Sequence, residues 1–447
     1  MQTLDSTIVA TALPKMAEDF GEPPVRMSLV IVAYLLVGTI FIPVSTWVAD
    51  RVGANVAFCG SIVVFTIASL LCGLSQTLWQ LTAARALQGA GGALLFPVGR
   101  LILLRTAPRA KYIAAASMLA LLAQSGPMVG PPVGGFITTF GSWRWVFLIN
   151  LPFGVAALVL SAIYATNFRP ASPGRFDWIG FGISSISLSA LIYGVELLTH
   201  ADAFGTAAAL VALGLAGGAA LYWLSLRRSD AVIDFTLLRT PTFRVNITGG
   251  SVFRLGSSAA PFLLPLLFQL GLGMNPLVSG LLILVSASGM VCVRFFMVRI
   301  FRTFGFRQIF IACGLVTGIT MPIFGFIAAD TPFWQIGVLG LVAGLSQSLV
   351  YSGLNSVVYA DLAPDRMGAA TSLSQLSNQV TNTLAVAISA VVLNMSLAWH
   401  GETELSVADF RLAFLVAGVF VLASIPFFVR LDRYAGSELS GARRPAG

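Results

Sequence analysis

Asp5 is a carboxylic acid inside an apolar run, the segment LDSTIVATALP at Leu4–Pro14. An ionised carboxylate in hydrocarbon is costly, so a residue of this type is expected to face a wet cavity or a charged partner. A carboxyl group in such a place can bind and release a proton and can attract a cationic substrate. The alternative is a charge at a helix end that reaches the membrane interface. We interpret Asp5 as a proton-coupling residue.

Arg85 is the basic residue best placed to reach Asp5. Counted from the same side of the membrane, Asp5 lies about nine residues deep and Arg85 about four, so at 1.5 Å per residue their depths differ by only ~7 Å. Gln88, Gly89 and Gly92 follow Arg85 at helical spacing and share its face. We predict that Arg85 responds to protonation of Asp5 and that Gln88 lines a substrate cavity. The alternative is an arginine that only extends to the interface.

A second arginine, Arg254, is predicted near the middle of a later apolar segment. No acidic residue of the second half is found at a matching depth, so this guanidinium has to use carbonyls, water, Asp5 or an anionic group of the substrate. This argues against a purely cationic substrate. Asn378 and Asn382 lie one turn apart on a polar face of another segment, where they either join helices or line a wet cavity. We assign Arg254, Asn378 and Asn382 to the substrate cavity.

Glycine and proline are concentrated in the segment SGPMVGPPVGG at Ser125–Gly135. Prolines remove backbone hydrogen bonds and kink a helix, and glycines four residues apart form a flat seam that another helix can approach closely. Such a helix suits two halves of a protein that rock past each other, although membrane helices are generally enriched in both residues. The predicted hinge residues are Gly126, Pro127, Gly130, Pro131, Gly134 and Gly135.

The elements that carry these residues are predicted to be membrane-spanning helices. Of the 447 residues, 57% are hydrophobic and only 10% are charged, which is too little charge for the surface of a soluble protein. Apolar runs alternate with short charged loops, as lipid requires. The runs predict about fourteen spans. They lie near residues 1–13, 27–49, 54–74, 81–103, 113–138, 145–166, 178–198, 205–226, 245–270, 277–298, 308–329, 334–357, 367–394 and 411–430.

The first of these runs is short. It stops at Pro14 and would form only about 20 Å of helix, against a hydrocarbon core of about 30 Å. We therefore expect the first span to be truncated. Either the natural chain begins about 10–15 residues upstream, or this helix is partly unsupported because it is too short to cross the whole hydrocarbon core.

The positions of the basic residues give an independent test of the span count. With loops assigned alternately to two sides, about 18 lysines and arginines fall on the inside and about 4 on the outside. This bias favours an even number of spans with both termini in the cytoplasm. Two linker-like loops, 167–177 and 227–244, separate groups of six, two and six spans. The predicted domains are a six-helix bundle at 1–166, a two-helix insert with linkers at 167–244, a second six-helix bundle at 245–430 and a cytoplasmic tail at 431–447.

A weak internal repeat relates the two predicted bundles. The loop ADRVGANVAF after the second span is similar to FRTFGFRQIF after the tenth, and both place a glycine near an arginine in a short turn. Parallel six-helix repeats of this kind build many secondary transporters.

Four motifs together resemble the major facilitator superfamily. They are LDSTIVATALP, VADRVG at Val48–Gly53, RALQGAGGALLFPVGR at Arg85–Arg100, and SGPMVGPPVGG followed by WRWVFLINLPFG at Trp143–Gly154. Within the superfamily, the chain is similar over essentially its whole length to the fourteen-span drug:proton antiporters of the EmrB/QacA group, in particular the MdtD-like branch. The resemblance implies an all-helical membrane fold of two six-helix bundles plus two linker helices. It also implies coupling roles for Asp5 and Arg85 and an antiporter motif in the glycine-rich segment.

The loop VADRVG departs from the family pattern. In the family this motif usually begins with glycine and carries two basic residues after the second glycine, whereas Thr46, Ala54 and Asn55 occupy those places here. The charge relay that the resemblance implies is therefore reduced to Asp50 and Arg51. Together with Gly53, these are the predicted residues of a cytoplasmic gate.

The expected function is a secondary antiporter that moves protons inward and small amphiphilic molecules outward. The alternatives are a dedicated exporter of one endogenous metabolite or anion and, in a different class, a passive channel or a membrane-embedded enzyme. The sequence contains no P-loop and no CxxC pair, and its two histidines lie in predicted loops, so ATP-driven transport and catalysis are disfavoured. A channel would not need a lone buried acid near an arginine.

The proton gradient is the only energy source expected, with no cofactor and no metal. The expected partners are a small-molecule substrate and the lipid bilayer, and no nucleic acid. We expect a monomer in the bacterial inner membrane, with a periplasmic adaptor as a candidate partner.

Overall fold

A computed structural model describes residues 2–106, 126, 128–164, 177–198, 203–227, 234–358, 361–362, 366–401 and 405–432. All regular secondary structure within these ranges is helical, as predicted. The chain divides into two units. Unit 1 comprises Met1–Leu197, Asp202–Leu221 and Asn275–Gly280, and unit 2 comprises Leu198–Ala201, Tyr222–Met274 and Leu281–Gly447. The domain boundaries drawn from the sequence stay predictions.

The first half of the described chain contains nine α-helices. They are α1 Gln2–Phe20, α2 Ser28–Val52, α3 Ala54–Leu74, α4 Leu78–Thr106, α5 over 128–140, α6 Trp145–Leu148, α7 Asn150–Tyr164, α8 Trp178–Leu197 and α9 Phe204–Ser225. Helix α3 shows why these helices carry apolar residues on every face. Phe65 and Ala68 are buried against other helices, while Val63 and Ile67 are exposed on the side that lipid would cover.

The second half contains eight described α-helices. They are α10 Pro241–Ser257, α11 Ala260–Leu266, α12 Pro276–Cys292, α13 Met297–Phe324, α14 Phe333–Val357, α15 Met367–His400, α16 Val407–Ala423 and α17 Ile425–Val429. A one-turn π-helix, Leu267–Gly271, continues α11. Aromatic side chains form the centre of unit 2. Phe253, Phe310 and Phe428 are fully buried there, and the Phe428 ring contacts the rings of the other two.

Ten of the described helical segments are long and apolar enough to cross a membrane. The four other predicted spans correspond to α1, α4, the region around α5 and the shorter apolar helix α12. Residues 107–125, which hold half of the predicted fifth span, lie outside the described residues. The count of fourteen therefore stays a prediction.

The predicted end of the first helix at Pro14 is wrong. Helix α1 continues through Pro14 to Phe20, so its 19 residues extend for about 28 Å. Burial explains the continuation, because Leu13, Met16 and Ala17 on either side of the proline are all buried. A membrane helix tolerates the missing backbone hydrogen bond when neighbouring helices surround the proline.

The two loops that resemble each other in sequence share a backbone conformation. Gly53, between α2 and α3, has φ 102° and ψ 144°, and Gly305, within α13, has φ 72° and ψ 165°. This region of backbone space is open essentially only to glycine. Each glycine therefore ends one helical segment and begins the next within a single residue.

Candidate functional site

The structure brings Asp5 of α1 and Arg85 of α4 into direct contact. Arg85 Nη1 lies 2.5 Å from Asp5 Oδ2. The side chain of Asp5 is 0% exposed and that of Arg85 is 1% exposed. Two opposite charges removed from water in this way attract each other strongly, because little solvent screens them.

Two amide side chains complete the hydrogen bonding of the Asp5 carboxylate. Its Oδ1 atom accepts from Gln88 Nε2 at 3.0 Å and from Asn150 Nδ2 at 2.8 Å. Gln88 Nε2 also donates to Ser69 Oγ at 2.7 Å, and Gln88 Oε1 accepts from Arg85 Nη1 at 2.6 Å. The network joins residues of α1, α3, α4 and α7. Gln88, predicted to line a substrate cavity, has its amide engaged in this network.

Arg85 is held by the backbone and by aromatic rings as well as by Asp5. Its Nε atom donates to the carbonyl of Val30 at 3.2 Å. Its guanidinium carbon lies 4.1 Å from the ring centroid of Tyr34 and 5.8 Å from that of Phe147. Aromatic faces attract a cation without offering it a proton acceptor. Apart from Asp5, the contacts of Arg85 are therefore uncharged.

Glycines on α4 let the neighbouring helices approach closely enough to build this site. A Cβ atom at Gly89 would collide with the backbone carbonyl oxygen of Tyr34 on α2, and one at Gly91 would lie 2.8 Å from the backbone nitrogen of Phe65 on α3. Backbone cannot move aside as a flexible side chain can. Residues without a side chain at both positions therefore set the spacing of α2, α3 and α4 around Arg85.

The arrangement fits an ionised carboxylate. An ionised aspartate only accepts hydrogen bonds, and the three groups that contact Asp5 all donate to it. A proton on either oxygen would remove the negative charge and replace one acceptor with a donor. The Arg85 guanidinium would then lose its only anionic contact among the described residues. The pair can therefore exist in two states that differ by one proton.

The glycine seam predicted in the fifth span lies against α1. Cβ atoms at Gly130 and Gly134 would collide with the hydroxyl oxygens of Thr7 and Thr11, respectively. Thr7 Oγ1 also donates to the carbonyl of Gly126 at 3.1 Å. Pro131 and Gly135 are buried in α5, and Pro127 lies outside the described residues. The helix that carries Asp5 is thus in close contact with the helix that carries the predicted hinge.

The predicted gate residues lie where α2 ends. Asp50 and Arg51 are in the last turn of α2, Gly53 follows it, and the guanidinium carbon of Arg51 lies 5.4 Å from the ring centroid of Trp47. Their role as a gate stays a prediction.

The residues assigned to the substrate cavity from the second half lie in unit 2. Arg254 on α10 is 2% exposed, and its guanidinium carbon lies 5.8 Å from the ring centroid of Tyr351 on α14. Asn382 on α15 accepts a hydrogen bond from Ser258 at 2.8 Å, whereas Asn378 Oδ1 has no partner among the described residues.

Sequence reasoning missed Asn150, Ser69 and Tyr34 as members of the Asp5 network. Asn150 offered a signal, because it is a lone amide in the apolar stretch WRWVFLINLPFG. A buried amide in a membrane helix requires a partner. Ser69 and Tyr34 offered no comparable signal, since serine and tyrosine are common in membrane helices.

Comparison with known proteins identifies the family to which the chain belongs. The family model of the Major Facilitator Superfamily matches residues 1–386 and, in a second match, residues 247–446. The chain belongs to the Major Facilitator Superfamily. Its sequence is 37% identical to MdtD of Serratia proteamaculans, named as a multidrug resistance protein, over 90% of this chain and 84% of that protein. It is 34% identical to MdtD of Pectobacterium atrosepticum over 96% of this chain and 92% of that protein.

Solved structures of this superfamily share the fold. An auto-inhibited peptide transporter of the POT family superposes with a TM-score of 0.68 at 14% identity, covering 100% of this chain and 96% of that chain. A bacterial homologue of the human lysosomal transporter Spinster superposes with a TM-score of 0.67 at 15% identity, also covering 100% and 96%. The major facilitator fold predicted from the motifs is thus confirmed. The protein is a multi-pass transporter of the inner membrane.

Proposed function

We propose that this major facilitator protein exports small amphiphilic molecules in exchange for protons, and that Asp5 is the group that binds the transported proton. The observation that carries the proposal is the fully buried Asp5–Arg85 pair, with N–O separation 2.5 Å, in a membrane protein. The export of amphiphilic molecules is supported by relatives named as multidrug resistance proteins at 33–37% identity.

Protonation of Asp5 changes the interactions that hold four helices together. In the ionised state, the carboxylate on α1 accepts from Arg85 and Gln88 on α4 and from Asn150 on α7, and Gln88 continues the network to Ser69 on α3. In the protonated state the charge attraction is lost, and Arg85 keeps only neutral partners. A proton therefore shifts the equilibrium between two arrangements of these helices, and a substrate that prefers one arrangement is coupled to the proton.

The proposed direction of transport depends on the orientation of the protein in the membrane and on the positions of the gate and the hinge. The excess of basic residues on one set of loops supports an orientation with both termini in the cytoplasm. In that orientation, Asp50, Arg51 and Gly53 lie at the cytoplasmic ends of α2 and α3, where a gate that closes after substrate entry is needed. The glycine contacts between α5 and α1 connect the proposed hinge directly to the helix that binds the proton.

Substitution Asp5→Asn in proteoliposomes tests the proposal. The amide keeps the size of the carboxyl group but cannot bind and release a proton. Ethidium, a cationic amphiphile, is used as the substrate. For exchange of one proton per cation, a pH difference of one unit should drive about a tenfold accumulation by the unmodified protein. We expect Asp5→Asn to abolish this accumulation while ethidium counterflow without a pH gradient continues.

The matched control is Asp19→Asn, because Asp19 lies on the same helix but its side chain is 43% exposed. This variant should retain both the pH-driven accumulation and the counterflow. If Asp5→Asn accumulates ethidium as well as the unmodified protein does, Asp5 is not the coupling group. Equal loss of accumulation and counterflow in Asp5→Asn would indicate a structural role instead.

A further inference from the structure

The Arg254 side chain is buried without a hydrogen-bond acceptor among the described residues. It lies on α10, is 2% exposed, and makes no hydrogen bond or ion pair with the described residues. Its Nη1 atom is fully enclosed and unsatisfied. An arginine stays charged in a protein, so burial of this group without an acceptor costs free energy. Some group outside the described protein atoms is therefore needed to satisfy it.

The surroundings of Arg254 are polar but uncharged. Tyr351 Oη lies 2.9 Å from Ser257 Oγ and 3.0 Å from Ser258 Oγ, and Ser258 also donates to Asn382. Ser251 Oγ lies 2.9 Å from Ser377 Oγ. Tyr351, whose ring centroid lies 5.8 Å from the guanidinium carbon, thus belongs to a network of hydroxyl and amide groups on α10, α14 and α15. Two acids of unit 2, Asp234 and Asp409, form their hydrogen bonds with other partners.

The Arg254 side chain extends back along its own helix into a space that a glycine leaves open. A Cβ atom at Gly250, one turn earlier, would lie 2.8 Å from Arg254 Nη1. One turn earlier again, Asn246 is 1% exposed and donates to the carbonyl of Leu354, while its Oδ1 atom has no partner. A second helix contributes further unsatisfied atoms, Ser374 Oγ and Asn378 Oδ1 on α15. Several enclosed polar atoms of unit 2, like Arg254 Nη1, therefore lack a hydrogen-bond partner within the described part of the chain.

We infer that Arg254 binds the carboxylate group of a transported molecule, so that the substrates include amphiphilic carboxylic acids. A carboxylate matches the fork of a guanidinium, with two parallel hydrogen bonds, and supplies the missing negative charge. The neighbouring hydroxyl and amide groups offer further hydrogen bonds to polar atoms of the same molecule. The inference deepens the proposed function and rests on it, because it names the chemical class of substrate.

The test is a thermal unfolding experiment on the purified, delipidated protein with acetate, benzoate and octanoate as probes. A ligand that binds only the folded state raises the unfolding temperature, and we expect a rise of about 1–3 °C at saturating concentration of at least one probe. The substitution Arg254→Gln should abolish the rise, and Arg254→Lys, which keeps the charge, should retain part of it. Octylammonium, the cationic counterpart of octanoate, should produce no rise that depends on Arg254.

Two outcomes would overturn the inference. One is that no carboxylate raises the unfolding temperature, or that each raises it equally in the unmodified protein and in Arg254→Gln. The other is that phosphatidylglycerol alone stabilises the protein in an Arg254-dependent manner, which would assign the site to a lipid headgroup. Ethidium accumulation driven by a pH gradient separates this result from the proposed function. If the unmodified protein accumulates ethidium and Asp5→Asn does not, proton-driven export stands whatever the carboxylates show.

Discussion

Within the described residues each unit buries one arginine, and the two units differ in whether an acid pairs with it. Arg85 lies on α4 of unit 1 and Arg254 on α10 of unit 2, and both are at most 2% exposed. Asp5 on α1 neutralises Arg85, whereas the nearest ring to Arg254 belongs to the neutral Tyr351 on α14. In the predicted repeat, α1 and α10 are equivalent first helices. α4 and α14 are equivalent fourth helices. The same helix pair thus carries an internal ion pair in unit 1 and an uncompensated cation in unit 2.

The largest expected effect is the opposite response of the two units to loss of their arginine. Arg85→Gln leaves the Asp5 carboxylate buried without its cation, and breaking a buried pair in this way costs about 3–5 kcal/mol. Arg254→Gln removes a charge that has no partner, so the unfolding temperature should stay constant or rise. Thermal unfolding of both variants in the same detergent, without added ligand, measures the difference.

A matched pair of variants checks that charge, rather than volume, causes this difference. Arg85→Lys and Arg254→Lys keep the charge in both units. The unfolding temperature of each lysine variant should therefore lie between that of the corresponding glutamine variant and that of the unmodified protein. Equal destabilisation by Arg85→Gln and Arg254→Gln would show that Arg254 has a compensating partner, and the contrast between the units would be lost.

The paired arginine was largely predictable from the sequence, because charge is so rare in the apolar runs that two opposite charges at similar depth stand out. The local spacing of Arg85, Gln88 and Gly89 already placed them on one face of a helix. The lone amide of Asn150 signalled a buried partner, but its pairing with Asp5 was not predictable, since that depends on how α7 is placed against α1, some 145 positions away in sequence. Such contacts between distant segments are fixed by packing of whole helices, which one sequence does not reveal.

The error at Pro14 has a similar cause. Proline ends most helices in water, where the freed carbonyl bonds to solvent and nothing else holds the next turn in place. In α1, Met16 and Ala17 after the proline are buried among other helices, so tertiary contacts outweigh the lost hydrogen bond. By contrast, the glycine turns at Gly53 and Gly305 were readable from sequence, because the backbone conformation that they adopt is nearly restricted to glycine.

An intermediate effect is expected from alanine at the glycine beside each arginine. In unit 1, the methyl group of Gly89→Ala would meet the backbone of Tyr34, so the helices must separate, and we expect a loss of about 1–3 kcal/mol. In unit 2, the methyl group of Gly250→Ala would meet the end of the Arg254 side chain, which is flexible. Gly250→Ala should therefore leave the unfolding temperature nearly unchanged but weaken the carboxylate-induced rise. A large destabilisation by Gly250→Ala would mean that Arg254 is held rigidly.

The smallest effect is expected where the units resemble each other, at partly exposed aspartates outside the membrane-spanning segments. Hydrogen bonds from Arg144 and then Trp143 hold the pKa of Asp19 below its usual range. Burial raises the pKa of Asp234, but hydrogen bonds from Thr236 and Arg366 outweigh it and the net shift is also downward. Both pKa values are lower in the folded state than in the unfolded state. Each contact therefore stabilises the folded protein at pH values above the ordinary aspartate pKa. The stabilisation is lost as the pH falls through the lowered value.

Asp19→Asn and Asp234→Asn should therefore each cost at most about 1 kcal/mol at pH 7, because ion pairs near water contribute little. This loss of stability should disappear at a pH below both pKa values. Unfolding temperatures measured at pH 7 and in acid would test this. A deficit that persists in acid would assign these contacts to packing rather than charge. If both variants lose the same stability at pH 7 and recover it in acid, the two units do not differ electrostatically at these exposed sites. Their difference then lies in the interior, where Arg85 is paired with an aspartate and the charge of Arg254 remains available to a ligand.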